Sequence, residues 1–438
     1  MEYAIPKGLY DVLPVVSHEE DLWRLSTRWQ YVEGIIRELA RNYQCQEIRT
    51  PIFERTDLFL RGVGESTDIV TKEMYTFLDK GERFMTLRPE GTAPAMRAFV
   101  EKKLHTLSPI HKLFYIGPMF RYERPQAGRY RQHTQFGVEM VGSGIPEQDV
   151  EIIDMACEFY RRLGLKDLTV MVNTVGDKES RVAYKQALKD YFSSHLSSLS
   201  EESKIRYDKN VLRILDSKSP EDQEALTHAP TITEFLTPSA KHHFTTVCEL
   251  LGDLELQWQI NPRLVRGLDY YNHTVFEIAS MHLGAQNALG GGGRYDGLIA
   301  TLGGPNLPSV GFASGIERVL QAMHKQGVPF PTPPGPFVYF IGLGEKARRI
   351  LMPLIARLRH ADISVEIDLF GKKIQQSLQL ADQSKATYAL IIGEEEIQSQ
   401  KAMLKEMATR QSIPLSLDGL FSELVELHNE SKQKTGTI

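Results

Sequence analysis

At 438 residues the chain is too long for one compact core, so two or three domains are expected, and 42% hydrophobic with 24% charged residues is the composition of an ordinary globular protein. A net charge of −5 and a pI near 6.3 exclude a globally basic nucleic-acid binder; any surface for a polyanion has to be local. Cys45, Cys157 and Cys248 stand far apart, no apolar run reaches the roughly 18 residues of a membrane span, and the N-terminus lacks signal-peptide order, so a reduced, cytoplasmic protein is expected.

Residues 17–43 (SHEEDLWRLSTRWQYVEGIIRELARNY) read as one long helix, with a mixed apolar stripe through Trp23, Ser26, Trp29 or Gln30, Val32 or Glu33, and Ile36, and a capping-box start at Ser17 and Glu20. QEIRTPIFER (46–55) reads as a strand that Pro51 confines to an edge. In MTLRPEGTAPAMRAF (85–99), Pro89, Gly91 and Pro94 fix a turn into a helix and leave Glu90 and Thr92 on a rigid element. Two strands are expected between 110 and 141, joined by the polar loop ERPQAGRYRQ with Gly128 near the turn. Residues 176–255 have helical periodicity and read as an inserted, mainly helical subdomain. Strand-like composition returns in LQWQINPRLVRGLDYYNHTVFEIA, followed by the glycine run LGGGGRYDGL and by GFASGIERVLQAM, a strand running into a helix.

PFPTPPGP (329–336) holds five prolines in eight residues and reads as a semi-rigid linker closing a first domain at 1–328. Beyond it, in 337–438, FVYFIGL, ISVEIDLF and YALIIG alternate with helical stretches, the last of them IQSQKAMLKEMATR. That alternation implies a small α/β domain with a mostly parallel sheet.

Four segments carry candidate chemistry. FRYERPQAGRYRQHTQFGVE (120–139) is ordinarily read as a solvated hairpin, yet Lys112 to Arg131 hold five basic residues and one acidic. Arg121 sits inside an aromatic strand, and Arg129 and Arg131 alternate with Tyr130, which predicts both on one face. Guanidiniums there, near Glu123 and Glu139, suit a polyphosphate beside a polar organic group. In LVRGLDYYNHTVFE (264–277), Arg266 is expected at a strand end, with Tyr270 and Tyr271 offering hydroxyls on apolar bodies; a core strand with a surface arginine is the plainer reading. Glu90 and Thr92 suit an ammonium group, or else a helix start with Thr92 as N-cap. GFASGIERVL places Arg318 in the first turn of its helix.

In this order the segments resemble the class II aminoacyl-tRNA synthetases and, among them, the histidyl-tRNA synthetase family. EIRTPIFER is similar to the dimer-forming first motif, FRYERPQAGRYRQ to the second and GFASGIERVL to the third, while LRPEGT, LVRGLDYYNHTVFE and GGRYDGL resemble segments particular to the histidyl enzymes. The likeness covers essentially the whole chain. It implies an α+β catalytic domain on an antiparallel sheet flanked by helices, with a helical insertion at 176–255, and an anticodon-binding α/β domain at 337–438. It further implies a homodimer acting on L-histidine, ATP with Mg²⁺, and tRNA(His); the sequence itself shows no dedicated protein cage for the metal. By the same likeness, Arg121 contacts the α-phosphate, Glu123 the adenine amino group, and Arg129 and Arg318 the β- and γ-phosphates, with Arg266 the second catalytic arginine beside Arg121. Glu90, Gly91, Thr92 and Gln135 belong to the α-amino end of histidine, Glu139 and Tyr271 to its imidazole with Tyr270 nearby, and Arg124 and Gln126 to the acceptor end of tRNA. His133 stands where the family has an aromatic residue, so a weaker or pH-sensitive adenine stack is expected.

Three other readings compete. FVYFIGLGEKA followed by Asp368 approximates a dinucleotide fingerprint, but the remaining domain is about half a doubly wound fold. A non-catalytic, synthetase-like regulatory subunit of histidine biosynthesis is disfavoured by the extra domain and by Glu90, Arg121, Arg266, Tyr271 and Arg318. Another class II synthetase is disfavoured by LVRGLDYY and GGRYDGL. In the C-terminal domain basic and acidic residues balance, so an RNA grip there needs a local cluster such as Lys372 and Lys373.

Overall fold

The computed structural model describes residues 3–64, 67–124, 128–280, 288–371 and 373–435. The chain divides into two compact units, Met1–Phe330 and Pro331–Ile438.

In the first unit, helix α1 (Ser26–Asn42) buries Trp29, Val32, Ile36, Leu39 and Ala40 at helical spacing. The long helix expected from residue 17 is broken. Leu13 pairs with Leu25 and draws it into extended backbone, so a short 3₁₀ turn (Glu19–Arg24) precedes α1 and Ser17 caps nothing. The single strand expected at 46–55 is also divided. Strand β1 (Gln46–Glu47) joins the main sheet, whereas β2 (Phe53–Arg55) leads a small antiparallel sheet with β3 (Tyr75–Leu78) and β4 (Phe84–Leu87). Pro51 falls between β1 and β2, where no ladder donor is needed.

The main sheet continues with β5 (His111–Phe120), β6 (Gln132–Val141), β7 (Leu168–Thr174), β8 (Trp258–Ile260), β9 (Asn272–Ser280), β10 (Ala288–Arg294) and β11 (Ser309–Gly315). Its order is β1-β5-β6-β11-β10-β9-β7-β8, antiparallel except for the parallel edge pairs β1–β5 and β7–β8. The period of two sends Phe136, Val138, Met140, Phe276, Ile278, Val310 and Phe312 to one core. That core is covered by α1 and by residues of segments 146–162, 238–253 and 316–325.

The opposite face has a different composition. One register row reads Tyr115, Gly137, Ala313, Gly291, Glu277 across five strands, and the next reads Leu113, Glu139, Gly311, Gly293, Val275. Both rows are small in the middle and large or charged at the sides, which leaves a concave floor. Helices α2 (Thr56–Val63) and α3 (Thr92–Glu101) flank this face at one end, their apolar sides packing through Phe59, Ala93, Met96 and Phe99. Helix α4 (Pro146–Arg162) lies on the core face. Residues 176–255 hold α5 (Lys178–Ser193), α6 (Glu201–Lys209), α7 (Pro220–Thr227) and α8 (Pro238–Asp253). Of these, α5, α6 and α7 surround a core of their own, formed by Tyr184, Leu188, Phe192, Ile214 and Leu226. The short α9 (Leu298–Thr301) and α10 (Ile316–Lys325) complete the unit.

The second unit is a five-stranded sheet, ordered β13-β12-β14-β15-β16, with helices α11 (Glu345–His360), α12 (Ile374–Gln383), α13 (Glu394–Ser399) and α14 (Leu420–Thr435). Strands β12 (Val338–Gly342), β13 (Val365–Ile367) and β14 (Tyr388–Ile392) are parallel. The helix expected at 397–410 is only its first turn. Residues Lys401–Glu406 form β15, antiparallel to β14 and to β16 (Ser412–Ser416). Lys, Met, Leu and Glu favour helix, but Ala402 and Leu404 alternate into the core, and that burial outweighs propensities of a few tenths of a kcal/mol per residue.

Candidate active site

The hairpin β5–β6, the segment 261–271 and the start of α10 border a cleft of about 860 Å³ over the small-residue floor. Further along the same face of β6 as the cleft residue Gln135 lies one buried carboxylate. Glu139, 1% exposed, lies on the floor face of β6 because it is out of phase with Val138 and Met140. It accepts hydrogen bonds from Thr92 Oγ1 (2.7 Å), from the Tyr115 hydroxyl (3.2 Å) and from the Tyr295 hydroxyl. Burial pushes its carboxyl up to about 8. Tyr115 fits beneath it because Gly137 and Gly91 have no side chain: a Cβ at either would lie 2.2–2.3 Å from the ring.

Glu90 lies near this carboxylate. Its carboxylate accepts from the backbone N–H of Thr92 (2.7 Å) and Ala93 (2.9 Å), satisfying two of the orphan donors of α3. The capping role expected of Thr92 therefore falls to Glu90, with Gly91 at the N-cap position, and the Thr92 hydroxyl is spent on Glu139. Tyr270 and Tyr271 pack beside this group, with ring centroids 4.7 Å apart and Tyr270 5.5 Å from Tyr295. Gln135, on the floor face of β6, reaches the cleft with a buried Oε1 that has no hydrogen-bond partner.

The outer part of the cleft is cationic. Arg121 is fixed by donating from Nε to the Pro89 carbonyl (2.8 Å), and Arg318 by donating to the carbonyls of Gly128 (3.2 Å) and Ala288 (2.7 Å). Arg129 lies 3.4 Å from Glu123, whose Oε2 is buried without a hydrogen bond. Burial and the nearby Arg129 lower the pKa of Arg318, so like charges are held together here. Across the cleft Arg266 donates to Glu277 (2.8 Å), and it reaches the floor because position 291 is glycine: a Cβ there would sit 2.9 Å from Nη1. Arg131 does not share the face expected of it. Its guanidinium stacks on Tyr122 at 4.0 Å and donates to the Lys7 carbonyl, because residues 128–131 precede β6 and lack strand alternation.

His133 is part of the cleft beside Arg121 and Arg318. Burial and these two cations push its pKa down to about 3, which favours the neutral imidazole near neutral pH. Arg124 is exposed on the loop, and Gln126 lies outside the described residues. Among the described residues no three His, Cys, Asp or Glu side chains gather as a metal cage. In the second unit Asp368 is buried and accepts from the Phe370 N–H and the Ser377 hydroxyl, so it ties its own turn to α12.

Three residues of the site were not singled out from the sequence. Tyr115 looks like a core strand residue, Tyr295 is hidden in the glycine run, and Glu277 is one charge in an apolar strand. Period-two phasing of Glu277 against Phe276 and Ile278 was the available signal.

Comparison with known proteins decides the family. A family model described as histidyl-tRNA synthetase matches residues 24–319, and one described as an anticodon binding domain matches residues 338–427. The chain belongs to the histidyl-tRNA synthetase family. A histidine–tRNA ligase of Protochlamydia amoebophila is 51% identical over 420 residues, covering 96% of this chain and 99% of that protein. That of Bacillus subtilis is 47% identical over 422 residues, covering 95% and 97%. The structure of apo S. aureus histidyl-tRNA synthetase superimposes with a TM-score of 0.81 at 36% identity, covering 97% of this chain and 100% of that one. A Bacillus halodurans structure titled as an ATP phosphoribosyltransferase regulatory subunit/histidyl-tRNA synthetase has a TM-score of 0.61 at 21% identity, covering 87% and 97%, and shares the fold alone.

Proposed function

We propose that the chain is a histidine–tRNA ligase, which joins L-histidine to ATP as histidyl-adenylate and then esterifies the 3′-terminal ribose of tRNA(His). The observation that carries this is the pairing of one buried carboxylate, Glu139, on the floor face with fixed guanidiniums in the outer cleft. An imidazole needs an acceptor for its N–H and a donor for its other nitrogen, and Glu139 and the Tyr271 hydroxyl supply that pair. Glu90, Thr92 and the unpartnered Gln135 Oε1 receive the α-ammonium beside Gly91. A side chain without the two nitrogens would leave Glu139 buried and unanswered, which is a strong basis for rejection.

ATP lies along the outer cleft, its phosphates relieving the repulsion among Arg121, Arg129 and Arg318. Glu123, whose Oε2 lies 3.4 Å from Arg129, offers its carboxylate to the adenine amino group, with His133 beneath the base. The histidine carboxylate attacks the α-phosphorus, and the bond to the β-phosphate oxygen breaks to release pyrophosphate. Charge accumulates on the non-bridging oxygens, where Arg121 and Arg266 already stand without reorganisation. Mg²⁺ takes one or two carboxylates plus phosphates and waters, so Glu277, which lines the cleft, would be the carboxylate for an ion arriving with ATP. When bound, it would neutralise charge on the β- and γ-phosphates.

The exposed loop residue Arg124 and the neighbouring Gln126 serve the acceptor end of the tRNA, and the second unit serves its anticodon, with Lys373 and Lys372, which lies outside the described residues, as candidate contacts. No described helix is long and apolar enough to cross a membrane, and a cytoplasmic location goes with this reading. A homodimer is supported by the exposed apolar residues Ile52, Phe53, Phe77, Leu78 and Phe84 on and beside the three-stranded sheet. Charging assays test the whole reading: radiolabelled histidine, and no other amino acid, should become acid-precipitable on tRNA(His). No charging of any tRNA would overturn it.

A further inference from the structure

The segment 261–271 carries Arg266, Tyr270 and Tyr271 but contains no helix or strand, so something else must hold it. Its anchors come largely from the helical residues 178–253. Arg263 donates to the Leu226 carbonyl (3.1 Å) and to Gln223 Oε1 (3.3 Å). Val265 packs on the core formed by α5, α6 and α7. Arg213 donates to the Arg266 carbonyl (3.4 Å) and also to Asp68 (3.2 Å). Asn210 donates to the Asp269 carboxylate (3.1 Å), and Arg181 donates to the Tyr271 carbonyl (2.8 Å). Five positions along nine residues are thus tied to the helical segment. Two of the ties end on the main chain of the residues assigned to the α-phosphate and the imidazole.

We infer that Arg181 and Arg213 are positioning residues for histidine activation, and that the helical segment 178–253 is the scaffold that fixes the catalytic segment 264–271. The inference rests on the histidine-activating reading of the site. Arg181 acts through the Tyr271 carbonyl, to which its guanidinium donates. Arg213 links Arg266 to Asp68 in the same manner. Because these ties meet the main chain at Arg266 and Tyr271, cutting them should shift both residues together.

The test is ATP–pyrophosphate exchange by the full chain, comparing wild type with Arg181→Ala, Arg181→Lys, Arg213→Ala and Asn210→Ala. Misplacing reacting groups by about 1 Å costs up to about a hundredfold. Arg181→Ala should accordingly lose about tenfold to a hundredfold in kcat/KM for histidine, while its melting temperature and its KM for ATP stay near wild type. Arg181→Lys keeps a donor for the carbonyl and should recover most of the loss, as should millimolar guanidinium added to Arg181→Ala. Should Arg181→Ala lower the melting temperature, Arg213→Ala and Asn210→Ala decide, since they cut other anchors of the same segment. The inference is overturned if the alanine variants exchange as wild type, or if each loses exchange only in step with its melting temperature. Absence of histidine exchange in the wild type would instead overturn the reading beneath it.

Discussion

Replacing Glu139 with glutamine probes the histidine pocket with little change in shape. The hydroxyls of Thr92, Tyr115 and Tyr295 can rotate from donating to accepting, so the amide can be accommodated. What is lost is the charged acceptor for imidazole. A hydrogen bond to a charged group contributes about 1.5–3 kcal/mol. The empty pocket holds the carboxyl at about 8, so ionising it at pH 7 costs about 1.4 kcal/mol. At the upper end about 1.6 kcal/mol remains, and Glu139→Gln should raise KM for histidine by roughly tenfold at pH 7. At pH 8.5 the ionisation cost has gone and the ratio should approach about a hundredfold. The assay is ATP–pyrophosphate exchange at saturating ATP with histidine varied at both pH values. A ratio below about threefold at both, or one that shrinks with pH, would refute the assignment.

Asp149 is fully buried and accepts from Arg294 (2.9 Å), His243 (2.6 Å) and Thr274 (2.8 Å), so Asp149→Asn should destabilise the first unit by about 3–5 kcal/mol in urea unfolding. His133 is neutral above a pKa of about 3, so KM for ATP should be flat from pH 6 to 8, and a sigmoid centred near 6.5 would show that it titrates in the cleft. Glu139 and Glu317, raised to about 8 and about 7, bind protons in the fold that the unfolded chain has released. Their share of stability is fully present below about pH 4.3 and is lost as pH rises to 8, by up to about 1.4 kcal/mol per unit for each group. The drop in urea midpoint between pH 5.5 and 8 should therefore be smaller in Glu139→Gln than in wild type.

Much of this was legible in the sequence because local pattern and tertiary demand agree. Phe136, Val138 and Met140 alternate and are buried, so Gln135 and Glu139 had to face the other way. Arg318 follows a strand with glycines and falls in the first turn of α10, as its spacing implied. The misses are where distant contacts decide. Leu13 extends Leu25 and breaks a helix whose own sequence continues it. Ala402 and Leu404 are buried in a sheet despite helix-forming neighbours. Arg131 turns onto Tyr122 because the chain has not yet entered β6. The partners of Glu139 come from three separate elements, and no spacing within any one of them announces the pocket.

The most direct measurement is ATP–pyrophosphate exchange with each of the twenty amino acids, on wild type and on Arg266→Ala. The account predicts exchange with histidine alone, and its reduction by about a hundredfold or more when Arg266 is removed from the developing phosphate charge. Exchange with another amino acid would contradict the roles of Glu139 and Tyr271. Undiminished exchange in Arg266→Ala would contradict the catalytic role given to that arginine, and no exchange at all would contradict the enzyme itself.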